Sequence, residues 1–174
     1  MRSRQAPHRN MSTSQLSPQS AAARRSAEAQ VRGLVARFAP AQQRLVGTMR
    51  RSLRKRLPTA HEVVYEYRDW FVISYSPNGL GYDGVLAIRG SANGIALYFN
   101  RGKELPDPGK VLRGSGTQVR FIQMERTSTL THPAVARLIE EAIGRTRVPF
   151  ARTGPGPVVV RAAAARPRGR RRPA

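Results

Sequence analysis

Residues 61–99 read HEVVYEYRDWFVISYSPNGLGYDGVLAIRGSANGIALYF, and this stretch decides the fold. It contains runs rich in β-branched and aromatic residues at 61–67, 70–75, 82–89 and 95–99. Short polar segments with turn-forming residues separate these runs, and that pattern is typical of antiparallel strands joined by tight turns. The stretch therefore predicts a four-stranded meander at the centre of the domain.

Helical patterns flank this meander on both sides. Apolar residues recur at helical spacing from about residue 28 to Pro58, and Pro40 divides the pattern into two helices. A fifth strand is predicted over 118–124, and a last helix begins near Pro133. This order predicts an α+β two-layer sandwich, in which an antiparallel five-stranded sheet is covered by the N- and C-terminal helices.

The chain is strongly basic, and its cations are spread along its whole length. Lys+Arg is 31 and Asp+Glu is 10, which gives a formal net charge of +21. Residues 1–27 are predicted to form a disordered basic tail, because they are poor in apolar anchors. Residues 28–150 are the folded domain, and residues 151–174 are interpreted as a flexible Gly/Pro linker, with one short strand as an option, and an Arg-rich tail.

Composition also restricts the compartment and the class of protein. The absence of cysteine excludes disulfides and thiolate metal sites, and it fits a reducing compartment such as the cytoplasm. No apolar run approaches the roughly 20 residues that a membrane span needs, so no membrane partner is expected. The basic N-terminal stretch lacks an apolar segment, so no signal peptide is predicted, although a transit peptide stays open for a eukaryotic source.

The sequence contains no pattern that is typical of a catalytic site. Ser52 and Lys55 match Ser-x-x-Lys, but the partner motifs of a penicillin-binding site are missing. The histidines at positions 8, 61 and 132 do not have the spacing of metal ligands. We therefore predict a non-enzymatic protein with no catalytic residues, no metal ligands and no cofactor.

A series of spaced motif residues follows the fourth predicted strand. The series consists of Tyr98, Gly102, Asp107, Gly114, Gly116 and Arg120. Together with an arginine-rich helix that ends at Pro58, these positions resemble the YdhG-like domain family of unknown function over roughly residues 30–147. The resemblance implies a frataxin-like two-layer fold and, by analogy, a ligand-handling or iron-handling chaperone. It makes the six motif positions candidate ligand-binding residues.

The same residues also have simpler interpretations. Asp107 before Pro108 is typical of a helix N-cap. Gly114 and Gly116 are typical of a turn into a strand, and the alternative is a loop that holds an anion with backbone N–H groups. The aromatic residues of the strands are most simply packing residues, and the alternative is an open sheet face that holds a small ligand or stacks bases.

The other candidate function is that of a nucleic-acid-associated protein. Two clusters of cations would bind phosphates, one on the second helix and one near the C-terminus. They consist of Arg50, Arg51, Arg54 and Lys55, and of Arg166, Arg168, Arg170, Arg171 and Arg172. Such contacts bind phosphates without reading sequence, and they weaken steeply with salt. The predicted partner is thus either an unidentified small ligand or a nucleic acid.

Overall fold

Residues 19–162 are described by a computed structural model, and they form three α-helices and one six-stranded sheet. The helices are α1 (Ala21–Val35), α2 (Pro40–Arg56) and α3 (Pro133–Gly144). The predictions for residues 1–18 and 163–174, which include the arginine cluster at 166–172, lie outside the described residues.

The sheet is mixed rather than wholly antiparallel. Its strands are β1 (His61–Glu66), β2 (Trp70–Ser76), β3 (Leu86–Ser91), β4 (Gly94–Phe99), β5 (Arg120–Met124) and β6 (Val158–Ala162). They lie in the order β5-β4-β3-β2-β1-β6, and β6 is parallel to β1 whereas the other neighbours are antiparallel. The prediction of an α+β fold is confirmed, but the prediction of a five-stranded antiparallel sheet is wrong.

The sixth strand lies in the segment for which the sequence predicts a linker with an optional short strand. Residues 125–157 carry the chain from β5, at one edge of the sheet, to the opposite side, where β6 pairs with β1 and forms the other edge. The backbone N–H of Glu62 donates to the carbonyl of Pro157 at 2.8 Å, and Val158 is buried in the core. Because the partner of β6 is distant in sequence, local patterns do not reveal this pairing.

The first helix begins earlier than its apolar pattern indicates. α1 begins at Ala21, so the predicted domain boundary at residue 28 falls inside this helix. Ser20 is its N-cap, and the Ser20 side chain accepts a hydrogen bond from the first turn. The side chain of Gln19 donates to the carbonyl of Val158 at 2.7 Å and accepts from its N–H at 3.0 Å. The start of α1 is therefore tied to the edge strand β6.

The two faces of the sheet differ, because the helices pack on one of them. On that face, alternate strand residues join apolar side chains of all three helices in a single core. Residues of this core with no exposed surface include Val31 on α1, Met49 on α2, Ile88 on β3 and Ile139 on α3. None of the three α-helices within residues 19–162 packs on the opposite face, so this part of the protein has two main layers.

Candidate functional site

A cleft lies at the end of the sheet where β3 begins and β4 ends. It has a volume of about 520 Å³, and it is bounded by the loop before β3, the turn after β4 and the C-terminal end of α3. Small-molecule sites in proteins typically occupy a few hundred Å³, roughly 300–1,000. The cleft is therefore large enough for a small organic molecule.

One wall of the cleft is the loop of residues 77–85. The sequence predicts a strand over part of this segment, but the structure has a 3-10 helix at Gly81–Asp83. The side-chain amide of Asn100, just after β4, donates to the carbonyl of Gly84 at 2.6 Å and so holds the loop against the sheet. The loop leaves Tyr82 81% exposed at the mouth of the cleft.

The lining of the cleft combines an apolar floor with a cationic rim. The apolar part is formed by Val85, Phe99, Leu105, Val119, Ala142 and Val148, and the cations are Arg101, Arg145 and Arg147. The described part of the chain exposes three large apolar side chains, and two of them, Tyr82 and Val119, line this cleft. Exposed apolar surface that gathers in one concave place is typical of a binding site.

The positive charge of the rim exceeds what its own carboxylates neutralise. Arg101 Nε donates to Glu104 Oε1 at 3.0 Å, whereas Arg145 Nε donates to Glu141 Oε2 at 3.1 Å. In the described part of the chain no carboxylate forms an ion pair with Arg147. The hydrogen bond from Arg101 lowers the pKa of Glu104. Desolvation opposes this effect, but the charges of Arg101, Arg147 and Arg145 also lower the pKa, so that the overall shift is downward.

The six motif residues surround the loop that joins β4 to β5, but none of them lines this cleft. Gly102 is buried where a Cβ atom would lie 2.5 Å from that of Arg120, so this glycine permits a close approach of two segments. Asp107 accepts hydrogen bonds from the N–H groups of Val111 and Leu112 at 3.0 and 2.8 Å. It therefore caps a turn and not the predicted helix, and it lines a separate cleft of about 270 Å³.

The remaining motif residues also make contacts within the fold. Gly114 has a φ of 108°, a left-handed conformation that favours glycine. The carbonyl of Gly116 accepts from Arg120 Nη1 at 2.6 Å, so Gly116 contributes a carbonyl contact. Tyr98 stacks on Phe121 with ring centroids 5.2 Å apart. In the structure these residues shape the β4–β5 loop, and they are not brought together around one ligand-sized cavity.

The arginines of α2 divide into inward and outward groups. Arg50 Nε donates to Glu62 Oε1 at 2.6 Å, and Arg50 Nη2 donates to Glu28 Oε2 at 3.1 Å. Arg54 bonds to the same two carboxylates, with Arg54 Nη2 and Glu28 Oε1 2.5 Å apart. Two of the four helix residues that we predicted to bind a polyanion therefore point into the fold, and the other two, Arg51 and Lys55, are exposed.

This ionic cluster joins three elements, because its acids come from α1 and β1. The side chain of Glu62 is 3% exposed, and Tyr75 donates its hydroxyl to Glu62 Oε1 at 3.2 Å. Burial lowers the pKa of Arg50, but the hydrogen bond and charge of Glu62 outweigh burial and raise it overall. Burial and the negative charge of Glu62 both raise the pKa of Tyr75.

The stability of the cluster is expected to depend on pH through Glu28. Burial raises its pKa, but the hydrogen bond from Arg54 and the charges of Arg50 and Arg54 outweigh burial, so the pKa lies below the ordinary 4.5. A lowered pKa in the folded state contributes stability above the unfolded-state pKa, and this contribution is lost as the pH falls through the folded-state value.

Urea unfolding of the wild type and of Glu28→Gln from about pH 6 to about pH 3 checks this expectation. The stability difference between the two proteins should be largest near pH 6 and shrink in acid. A difference that stays constant with pH would contradict the role of the Glu28 charge.

Two further findings limit the kind of site. Within residues 19–162 there is no group of three or more His, Asp or Glu side chains that could hold a metal ion. None of the helices in that range has the length and apolar character needed to cross a membrane.

Comparison of the chain with family models, with curated proteins and with solved structures found no match.

Proposed function

We propose that this chain is a non-enzymatic binding domain of the YdhG-like type, and that its cleft binds a small organic anion with an apolar part. The observation that carries the proposal is the rim, where the three cations Arg101, Arg145 and Arg147 outnumber the two carboxylates, Glu104 and Asp83, above an apolar floor. An amphipathic anion would bury its apolar part on the floor and place its carboxylate or phosphate among the guanidinium groups.

The chemistry of the cleft favours an organic anion over iron, the cargo that the family analogy suggests. Hard cations need several clustered oxygen ligands, and three guanidinium groups at the rim repel a cation. The two carboxylates at the cleft are already engaged, Glu104 by Arg101 and Asp83 by the amide of Asn78 at 2.7 Å. We therefore assign ligand handling to this domain without an iron site in the cleft.

The engaged carboxylates also support a binding role rather than a catalytic one. An acid or base catalyst needs a titratable group within reach of the substrate and free to exchange a proton. Glu104 accepts a hydrogen bond from Arg101, which lowers its pKa and favours the ionised form, and Asp83 accepts a hydrogen bond from the side-chain amide of Asn78. A cytoplasmic location, which rests on the cysteine-free sequence, stays a prediction.

Replacing Arg147 with glutamine is expected to weaken the binding of an amphipathic anion about tenfold, because a hydrogen bond to a charged group contributes about 1.5–3 kcal/mol. A suitable probe is 8-anilinonaphthalene-1-sulfonate, whose fluorescence rises in an apolar site and which aryl carboxylates can displace. The titration would compare Arg147→Gln with the wild type.

Arg51→Gln is the matched control for that experiment, since it removes the same charge from the exposed face of α2. It should change the affinity less than twofold. An equal loss in both variants would show that the probe responds to net charge alone. Stoichiometric binding of Fe²⁺ in calorimetry, lost in a Glu104→Gln variant, would overturn the choice of an organic anion.

A further inference from the structure

The outer surface of α1 and α2 carries cations that the fold does not neutralise. The two helices contain nine arginines and lysines but a single acid, Glu28. Four of these cations already have partners in the fold, and they are Arg24, Arg50, Arg54 and Arg56. The other five are exposed and form no ion pair within residues 19–162, and we call them the basic helix surface: Arg25, Arg32, Arg44, Arg51 and Lys55.

Three of these cations form a stripe along α2. Arg44, Arg51 and Lys55 are separated by seven and four residues, a spacing that places side chains on one side of a helix. The buried residues Met49 and Leu53 lie two positions before and after Arg51, so the stripe is on the side of α2 away from the core. The eleven residues from Arg44 to Lys55 span about 16 Å.

The other two cations lie on the side of α1 that borders α2. Arg25 is three residues before Glu28 and Arg32 is four residues after it, so the three residues share one side of α1. Glu28 bonds to Arg50 and Arg54, which shows that this side of α1 is next to α2. The two rows of cations therefore run side by side, and the one acid of these helices is already neutralised.

What the basic helix surface lacks restricts its partner. Neither α1 nor α2 contains an aromatic residue, and the exposed large apolar side chains of residues 19–162 lie elsewhere, at Leu80, Tyr82 and Val119. Protein interfaces are enriched in aromatic residues, helices that lie on membranes bury Trp, Phe or Leu, and single strands stack their bases on aromatic rings. A surface that has charge but no such residues is better suited to the phosphates of a duplex.

We infer that the basic helix surface binds the phosphate backbone of double-stranded nucleic acid without reading its sequence. Guanidinium groups match phosphate oxygens, and a duplex carries one negative charge per about 1.7 Å of its axis. A length of 16 Å thus presents roughly nine phosphates, enough for every cation of the surface. The structure changes the membership of the cluster predicted on α2, because Arg50 and Arg54 leave it and Arg25, Arg32 and Arg44 join it.

This inference does not depend on the proposed ligand cleft. None of the five cations lines the cleft, which is bounded by the loop before β3, the turn after β4 and the end of α3. The basic helix surface belongs to α1 and α2 alone. Each site can therefore fail its test while the other passes.

The decisive experiment is a titration of a fluorescein-labelled duplex of about 20 base pairs with the full-length protein, followed by anisotropy at several salt concentrations. A variant with all five cations of the basic helix surface changed to glutamine should bind at least a hundredfold more weakly at about 0.1 M salt. The slope of log affinity against log salt should become shallower by about 4, since each phosphate contact to a duplex contributes about 0.9.

The matched control removes five exposed cations that lie outside α1 and α2. It changes to glutamine Lys103, Lys110, Arg113, Arg126 and Arg152. Both variants have the same net charge and keep residues 1–18 and 163–174 unchanged, so a difference between them belongs to the helices. The control should lose less than about fivefold in affinity. Equal losses in the two variants, or no binding of the duplex by the wild type at about 50 mM salt, would overturn the inference.

A second variant keeps the charge of the surface and changes only its chemistry. Changing the four arginines of the basic helix surface to lysine should leave the salt slope within about 1 of the wild-type value, because lysine also binds phosphate as a point charge. Helix propensity is similar for arginine, lysine and glutamine, so circular dichroism should show the same helix content in all variants. A slope as shallow as that of the glutamine variant would contradict a role for phosphate contacts.

Competition experiments with the full-length protein test the choice of partner. Two unlabelled duplexes of unrelated sequence should compete equally, within about twofold, because phosphate contacts carry no sequence information. An oligothymidylate of the same length should compete at least fivefold more weakly, since it has about half the phosphates and the helices offer no ring for its bases. An oligothymidylate that competes as well as the duplex would overturn the inference. Binding to phosphatidylserine vesicles that the glutamine variant alone loses, with duplex binding unchanged, would do the same.

Discussion

Replacing Glu62 with glutamine is expected to lower the free energy of unfolding by about 3–5 kcal/mol, because it breaks a buried ionic cluster from one side. Glu62 is 3% exposed and accepts hydrogen bonds from Arg50, Arg54 and the Tyr75 hydroxyl. The side chain of Arg50 is only 12% exposed, so water cannot replace the lost carboxylate. Glutamine keeps the shape of the side chain but removes the charge that offsets the cost of burying two guanidinium groups.

Urea unfolding followed by circular dichroism measures this loss, and Glu66→Gln is the matched control. Glu66 lies on the same strand and the same face, but its ion pair with Arg37 joins side chains that are 44% and 47% exposed. Exposed pairs typically contribute about 0–1 kcal/mol, so the control should change little. Similar losses in the two variants would contradict the idea that burial gives the cluster its importance.

Replacing Gly156 with alanine is expected to lower the free energy of unfolding by about 3 kcal/mol or more and to release β6 from the sheet. A Cβ atom at this position would overlap the backbone carbonyl of Ala60, which cannot move without disturbing the start of β1. Gly156 also donates its N–H to Pro58 and accepts from Arg24 Nη1 at 3.0 and 2.9 Å. The segment before β6 therefore fits only without a side chain here.

Limited proteolysis and urea unfolding together measure this effect, since a released β6 should be cut before the domain unfolds. Gly33→Ala on α1 is the control, because a Cβ atom there meets nothing within 4 Å. It should raise stability by about 0.5–1 kcal/mol through helix propensity. An unchanged stability in Gly156→Ala would show that β6 is not part of the cooperative fold.

Where structure depends on neighbours in sequence, it could be predicted. The sequence predicts strands of the meander at 61–67, 70–75 and 95–99, and the structure has His61–Glu66, Trp70–Ser76 and Gly94–Phe99. β-branched and aromatic runs between tight turns pair with the next run along the chain, so the pattern is sufficient. The sequence pattern predicts the third strand at 82–89, but the structure has it at Leu86–Ser91, because Asn100 holds the preceding loop from outside the local sequence.

The candidate sites could be predicted less well. The sequence identifies the arginine-rich helix but not the acids that its arginines bind. Glu28 and Glu62 lie 22 and 12 positions from Arg50, and 26 and 8 positions from Arg54. A count of charges on the helix does not show such partners. The cleft brings together residues from the loop before β3, from the β4–β5 loop and from α3, and no motif spans these segments.

The sequence by itself determined the α+β class, the meander and the strong positive charge of this protein, since each depends on composition or on local spacing. Only the tertiary structure decided that β6 completes the sheet beside β1, that two of the helix cations face carboxylates, and that three arginines share one cleft. The physical reason is that these contacts join segments distant along the chain. Their pairing follows from how the helices and the sheet pack, and the periodicity of any one segment does not encode it.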